Sequence, residues 1–138
     1  MRINADKTGQ LTVGMKDARI TRTGYYIRKF KLDEFPQFLN VLKGDMSIVG
    51  PRPEVREYVK LYTVEQAKVL SVRPGITDYA SLEFFNENEL LGKSENPRKT
   101  YIEEIMGQKL ALNMKYIEEQ SLLVDVKIMV RTFLKIIS

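Results

Sequence analysis

A mainly helical α+β domain with a few short strands is the fold class that this sequence predicts. Three features point to it. Apolar residues recur at helical spacing in several separate windows, caps and breakers punctuate those windows, and only two short stretches, near 11–22 and 76–85, read as extended. The 138 residues, 43% hydrophobic and 29% charged, suffice for one core and hardly for two, so a single domain over 1–138 is expected.

Residues 1–18 are polar, with Gly9 and Gly14, and read as an irregular arm or a weak hairpin. The first helix is expected over Asp33–Lys43. Phe35, Phe38, Leu39 and Leu42 fall at helical spacing, Asp33 suits the N-cap and Gly44 the stop. Met46 to Val49 is a short apolar stretch closed by Gly50-Pro51-Arg52-Pro53, and Pro53 can open a second helix carrying Val55, Val59 and Leu61. Thr63 with Gln66 resembles a capping box for a third, short helix ending near Val72. Arg73-Pro74-Gly75 breaks the pattern before the extended stretch, and 86–96 is polar and loop-like. Asn96-Pro97 then opens a long helix carrying Ile102, Ile105, Leu110, Leu112 and Ile117, and Ser121 can cap the last helix.

In that last helix Lys127, Arg131 and Lys135 form a basic stripe, with Leu122, Met129, Phe133 and Ile136 on the opposite side. Asp125 sits within the apolar side, where a carboxylate needs a partner. Two readings stand: a buried pair with an arginine, or a site residue. The basic amphipathic pattern suits either core packing or a membrane surface.

Cysteine and histidine are absent, which excludes disulfides, thiolate zinc sites, cysteine nucleophiles and imidazole bases. Any catalysis must rest on carboxylates, lysines, hydroxyls or a hard, oxygen-bound metal. Charge is uneven: residues 19–73 hold eleven Lys/Arg against six Asp/Glu, whereas 74–120 hold five against nine. A basic first half fits an anionic partner such as nucleic acid, a phosphorylated small molecule or a membrane face, or simply a solvated surface. Apolar runs stay short of the roughly 18 residues that a membrane-spanning helix needs.

The segment Arg28 to Arg56 concentrates chemistry. Asp33 and Glu34 are adjacent carboxylates where a helix should begin; one can bind a divalent metal while the other attacks. Arg52 lies between two prolines, so its planar guanidinium is presented to a phosphate with little entropy to lose. Arg56, one turn on if Pro53 starts a helix, and Arg28, five residues before Asp33, are further cations. Each signal alone has an ordinary structural explanation: the acidic pair as a helix cap, the proline-flanked arginine as a turn.

The whole string is more specific. Leu32-Asp33-Glu34-x-Pro36-Gln37, Asn40-Val41-Leu42-Lys43-Gly44-Asp45-Met46-Ser47 and Val49-Gly50-Pro51-Arg52-Pro53-Glu54 together resemble the signature of the bacterial sugar transferases. These are the monotopic polyprenyl-phosphate phosphoglycosyl transferases that start capsule, exopolysaccharide and O-antigen assembly. The resemblance continues through Arg73-Pro74-Gly75-Ile76-Thr77, Tyr116-Ile117-Glu118 and Leu123-Val124-Asp125-Val126-Lys127. It implies that Asp33 attacks the β-phosphate of a UDP-sugar, releasing UMP and leaving a phosphosugar-aspartyl intermediate that polyprenyl phosphate then resolves. It further implies that Glu34 holds Mg²⁺, that Arg28, Arg52 and Arg56 grip phosphates, and that Asp125 occupies the family's acidic position in the last helix. The implied location is the cytoplasmic face of the bacterial inner membrane, with this chain alone soluble.

Members of that family normally begin with a re-entrant hydrophobic helix and a basic strand-and-loop segment. Neither is found in 1–138, so an N-terminally truncated domain is expected, with inactivity of the shortened form one expected outcome and self-association through uncovered apolar surface another. Thr77-Asp78-Tyr79-Ala80 departs from the Gly-Trp that many members carry, so no sugar is named. Two alternatives stand from other classes: a non-catalytic nucleotide-binding domain and a basic nucleic-acid-binding module. The absence of an aromatic recognition motif weighs against the second, and no nucleic-acid partner is expected.

Overall fold

Gly75 and Gly50 explain how the chain crosses itself. In the computed structural model, which describes residues 20–29, 32 and 35–137, strand β1 (Ser47–Val49) pairs in parallel with β2 (Gly75–Thr77), with Ser47 opposite Gly75 and Val49 opposite Thr77. A Cβ on Gly75 would lie 2.2 Å from the Gly50 amide nitrogen, and one on Gly50 would lie 2.7 Å from the Arg73 carbonyl oxygen. Only glycine lets the backbones come this close. Ladder bonds from Ser47 N to Pro74 O (2.8 Å), Gly50 N to Thr77 O (3.0 Å) and Gly75 N to Pro51 O (3.0 Å) complete the junction.

Helices surround this strand pair: α1 (Arg22–Lys29), α2 (Gln37–Lys43), α3 (Arg56–Val59), α4 (Tyr79–Glu83), α5 (Glu87–Gly92), α6 (Pro97–Thr100), α7 (Met106–Glu119) and α8 (Leu122–Ile137). A 3-10 turn spans Gln66–Ser71, and a π-turn, Tyr101–Ile105, joins α6 to α7. The α+β class is therefore correct, and among the described residues the sheet has two short strands. Residues 11–19 lie outside the described residues, and Arg22 already begins α1, where Thr21 Oγ1 accepts from Gly24 N at 3.1 Å. Only the start of 76–85 is extended, because Asp78 caps α4 immediately after β2.

Several expected caps are present. Thr63 and Gln66 form a reciprocal box at 2.9 and 3.2 Å, Asn96 Oδ1 accepts from Lys99 N at 3.1 Å, and Ser121 Oγ accepts from Val124 N at 3.3 Å. Gly44 ends α2 in the left-handed region at φ 83°, and Asp45 N and Met46 N then bond back to Asn40 O, turning the chain into β1. Others differ. Pro36, not Asp33, stands at the α2 cap, since a residue without an N–H is suited to a helix entrance. Pro53 does not open a helix: Val55 is extended and α3 begins at Arg56. The stretch 86–96 contains α5, whose Leu91 is 1% exposed.

The larger core joins Tyr58, Val69, Leu91, Tyr101, Ile105, Met106 and Leu110, with Tyr62, Phe84 and Ile117 packed on it. The smaller one joins Val49, Tyr116 and Ile128 and sits between β1, α4, α7 and α8. On α8 the buried residue is Ile128, while Leu122, Phe133 and Ile136 of the expected apolar face are exposed. Phe35, Phe38, Leu39 and Leu42, the apolar residues at helical spacing, are also exposed.

Candidate functional site

The Gly50-Pro51-Arg52-Pro53-Glu54 loop leaves the strand pair with Arg52 at its exposed crest. Pro51 is buried, and the two prolines fix φ on either side of Arg52. Asp78, fully buried, supports the loop from below: Oδ1 caps α4 by accepting from Ser81 N at 2.6 Å, and Oδ2 accepts from Arg52 N at 3.4 Å. Two amide donors and the positive end of a helix thus serve a carboxylate that has no ion pair among the described residues.

Beyond Pro53, Glu54 is held on both oxygens. Oε1 accepts from Val55 N at 3.1 Å and Oε2 accepts from the Tyr101 hydroxyl. This keeps 51–55 extended and explains why α3 starts late. Burial, then the Glu54 bond, pushes the Tyr101 phenol far above its ordinary range, and burial with the Glu54 charge pushes Tyr62 up to about 12. Arg56 is exposed at the first position of α3.

Asp125 reaches the same support from α8. Its expected arginine partner is replaced by a phenol: the buried Tyr116 hydroxyl donates to Asp125 Oδ1 at 2.8 Å and lies 3.3 Å from Val49 O. A tyrosine satisfies a half-buried carboxylate here because α7 brings the phenol to the end of β1. Burial and this bond raise the Tyr116 pKa. Nearby, Thr132 Oγ1 donates to Ile128 O at 2.9 Å, so Thr77 Oγ1 must be the donor in its 2.7 Å contact with Thr132. Replacing Tyr116 by Phe should cost about 1–2 kcal/mol, as a lower urea midpoint at unchanged slope, because the half-buried Asp125 carboxylate loses its phenol donor. An unchanged midpoint would contradict that assignment.

Arg52 and Asp125 are therefore both tied to the C-terminal end of β1, Arg52 three residues after Val49 and Asp125 through the Tyr116 hydroxyl. Arg28 falls in the last turn of α1. Asp33 and Glu34 lie outside the described residues. Among the described residues no group of three or more acidic side chains could hold a metal ion, and no helix is long and apolar enough to cross a membrane. Sequence reading missed Asp78, Tyr101 and Tyr116 as supports. Asp78 alone carried a local signal, an aspartate three residues before Ser81 at a helix entrance.

A guanidinium is a planar, permanently charged donor whose geometry suits phosphate, and Arg52 carries one on the proline-bounded loop. The chain belongs to the bacterial sugar transferase family, whose profile matches residues 1–138. It is 40% identical over 121 residues to the uncharacterized sugar transferase EpsL of Bacillus subtilis, covering 88% of this chain and 52% of that protein. It is 40% identical over 119 residues to the UDP-glucose:undecaprenyl-phosphate glucose-1-phosphate transferase of Caulobacter vibrioides, covering 84% and 40% respectively. With the UDP-N-acetylgalactosamine-undecaprenyl-phosphate N-acetylgalactosaminephosphotransferase of Aeromonas hydrophila it shares 36% identity over 138 residues, 98% of this chain and 30% of that protein. The chain thus spans about half, or less, of the length of these relatives.

Proposed function

We propose that this chain carries the catalytic part of a phosphoglycosyl transferase that moves a sugar phosphate from a UDP-sugar to polyprenyl phosphate. The observation that carries the reading is the Arg52 loop, pinned to β1–β2 by backbone contact too close for any side chain at Gly75. A phosphate gripped there would be held in a fixed position, and phosphoryl transfer depends mainly on positioning and charge neutralisation. In this reading an Asp33 carboxylate oxygen attacks the β-phosphorus, the bond to UMP breaks, and UMP departs with the electron pair. A phosphate oxygen of polyprenyl phosphate then attacks the same phosphorus, and the bond to Asp33 breaks to restore the carboxylate. Arg28, Arg52 and Arg56 neutralise phosphate charge, and Asp125 braces the scaffold under Arg52 through Tyr116.

Glu34 would hold Mg²⁺. The donor set fits a hard cation: the chain has no histidine or cysteine, which leaves carboxylate and phosphate oxygens as ligands. Bound there, the ion would offset diphosphate charge. Contact with a membrane surface is supported by α8, where exposed Val126, Val130, Phe133 and Ile137 run alongside exposed Lys127 and Arg131; the cytoplasmic face is what the family resemblance implies. Without lipid the same surface should drive self-association, seen as a concentration-dependent mass in light scattering; a constant monomer mass would contradict it. The function itself is tested by incubating the protein with Mg²⁺ and a panel of UDP-sugars. UMP release with at least one of them is expected from this chain or from a form that also carries the family's N-terminal hydrophobic segment, and no release from either would overturn the reading.

A further inference from the structure

We propose that Tyr101 is a positioning residue for Arg52, acting through Glu54, so that a core hydroxyl sets how the loop meets a diphosphate. The inference rests on the reading of Arg52 as a phosphate ligand.

The chain between β1 and α3 has no helix or strand of its own, yet it is fastened at almost every step. Before Arg52 the ladder bonds of Gly50 and Pro51 hold it to β2, and at Arg52 its own amide meets Asp78. After Arg52, Pro53 fixes one torsion, and the next attachment is the Glu54 side chain. Removing that attachment frees the loop on the side of Arg52 away from the sheet.

Tyr101 is well suited to be a fixed anchor. It is 2% exposed, its ring lies 4.8 Å from that of Tyr58, and it begins the π-turn, a local widening that rotates its side chain relative to a regular helix. The direction of its proton is set by its neighbour. Lys109 Nζ lies 3.5 Å from the hydroxyl and 2.9 Å from Glu87 Oε2. An ammonium can only donate, so it meets the phenol's lone pair and leaves the single phenolic proton to Glu54. Glu87, Lys109, Tyr101 and Glu54 thus form one polarised chain running from α5 through the core to the loop, and such chains strengthen each bond they contain. A hydroxyl needed only for the core would not have to end on the residue two after Arg52.

The test is a double-mutant cycle between Tyr101→Phe and Arg52→Ala, read as UDP affinity by calorimetry in Mg²⁺. UDP carries the diphosphate and leaves the sugar aside. Arg52→Ala is expected to weaken UDP. Tyr101→Phe, which keeps the ring in the core, should weaken it ~5-fold in the native background and less than ~2-fold when Arg52 is already gone, since residues acting through one another are non-additive. Glu54→Gln keeps an acceptor for Tyr101 and should restore affinity to within ~2-fold, whereas Glu54→Leu should match Tyr101→Phe and serves in its place if that variant loses its fold. An equal loss from Tyr101→Phe in both backgrounds, or none in either, would overturn the proposal while leaving Arg52 as a ligand. Unchanged affinity on Arg52→Ala, or no UDP binding by the native chain, would remove the underlying reading and this proposal with it.

Discussion

Asp33→Asn is expected to reduce UMP release by at least about 10³-fold while leaving the unfolding temperature nearly unchanged. The substitution preserves size but replaces the anionic oxygen that would attack phosphorus by a neutral amide. If Asp33 is the nucleophile, neither the arginines nor a bound cation can substitute for it, because positioning a phosphate does not supply the attacking atom. The chain offers few rivals, having no cysteine or histidine. The buried carboxylate of Asp78 is committed to two backbone amides, and that of Asp125 is engaged by a phenol. Retention of more than a tenth of native release would mean that the attacking group lies elsewhere.

Gly75→Ala should cost about 3 kcal/mol of stability, near the upper end for overpacking, because the obstruction is backbone on all sides. The added methyl would meet the nitrogen, oxygen and Cα of Gly50 at 2.2, 2.5 and 2.6 Å, and none of these can swing aside as a side chain could. Relief requires β1 and β2 to part, which breaks the ladder and displaces Pro51. UMP release should therefore fall more than the loss of folded protein accounts for. Gly107→Ala is the control: it lies exposed in α7 with nothing within 4 Å of a new Cβ, so ~0.5–1 kcal/mol of added stability is expected. Urea unfolding of both variants checks the pair, and a Gly75→Ala protein as stable as the native one would contradict the account of the strand junction.

Much of the helical framework was legible because its signals are local. Gly44, the Thr63–Gln66 box, Asn96-Pro97 and Ser121 each act within one turn of chain, and each is present as expected. The misreadings arose where distant groups decide. Residues 79–85 have the apolar and aromatic content of a strand, but Asp78 caps a helix at Ser81 N and its other oxygen meets Arg52 N. Within α5, Leu91 is the one apolar residue that enters the core, too little to register as periodicity. On α8, charge suggested which side faces inward, but the buried line follows Ile128 and Thr132, and Lys135 bends back to donate to Leu82 O at 2.6 Å. For the site, the residues named from the sequence are those that would touch substrate. The tyrosine supports were invisible because a buried tyrosine reads as ordinary core until its partner is known, and the local signal at Asp78 pointed only to a helix cap.

The central claim is that chemistry passes through a covalent link to Asp33. Intact-protein mass spectrometry after incubation with Mg²⁺ and a turned-over UDP-sugar, without lipid acceptor, measures this most directly. The account predicts a mass increase equal to one sugar phosphate, mapped by peptide sequencing to Asp33, and lost when polyprenyl phosphate is added. An adduct on any other residue, or UMP release with no adduct under rapid acid quench, would contradict it.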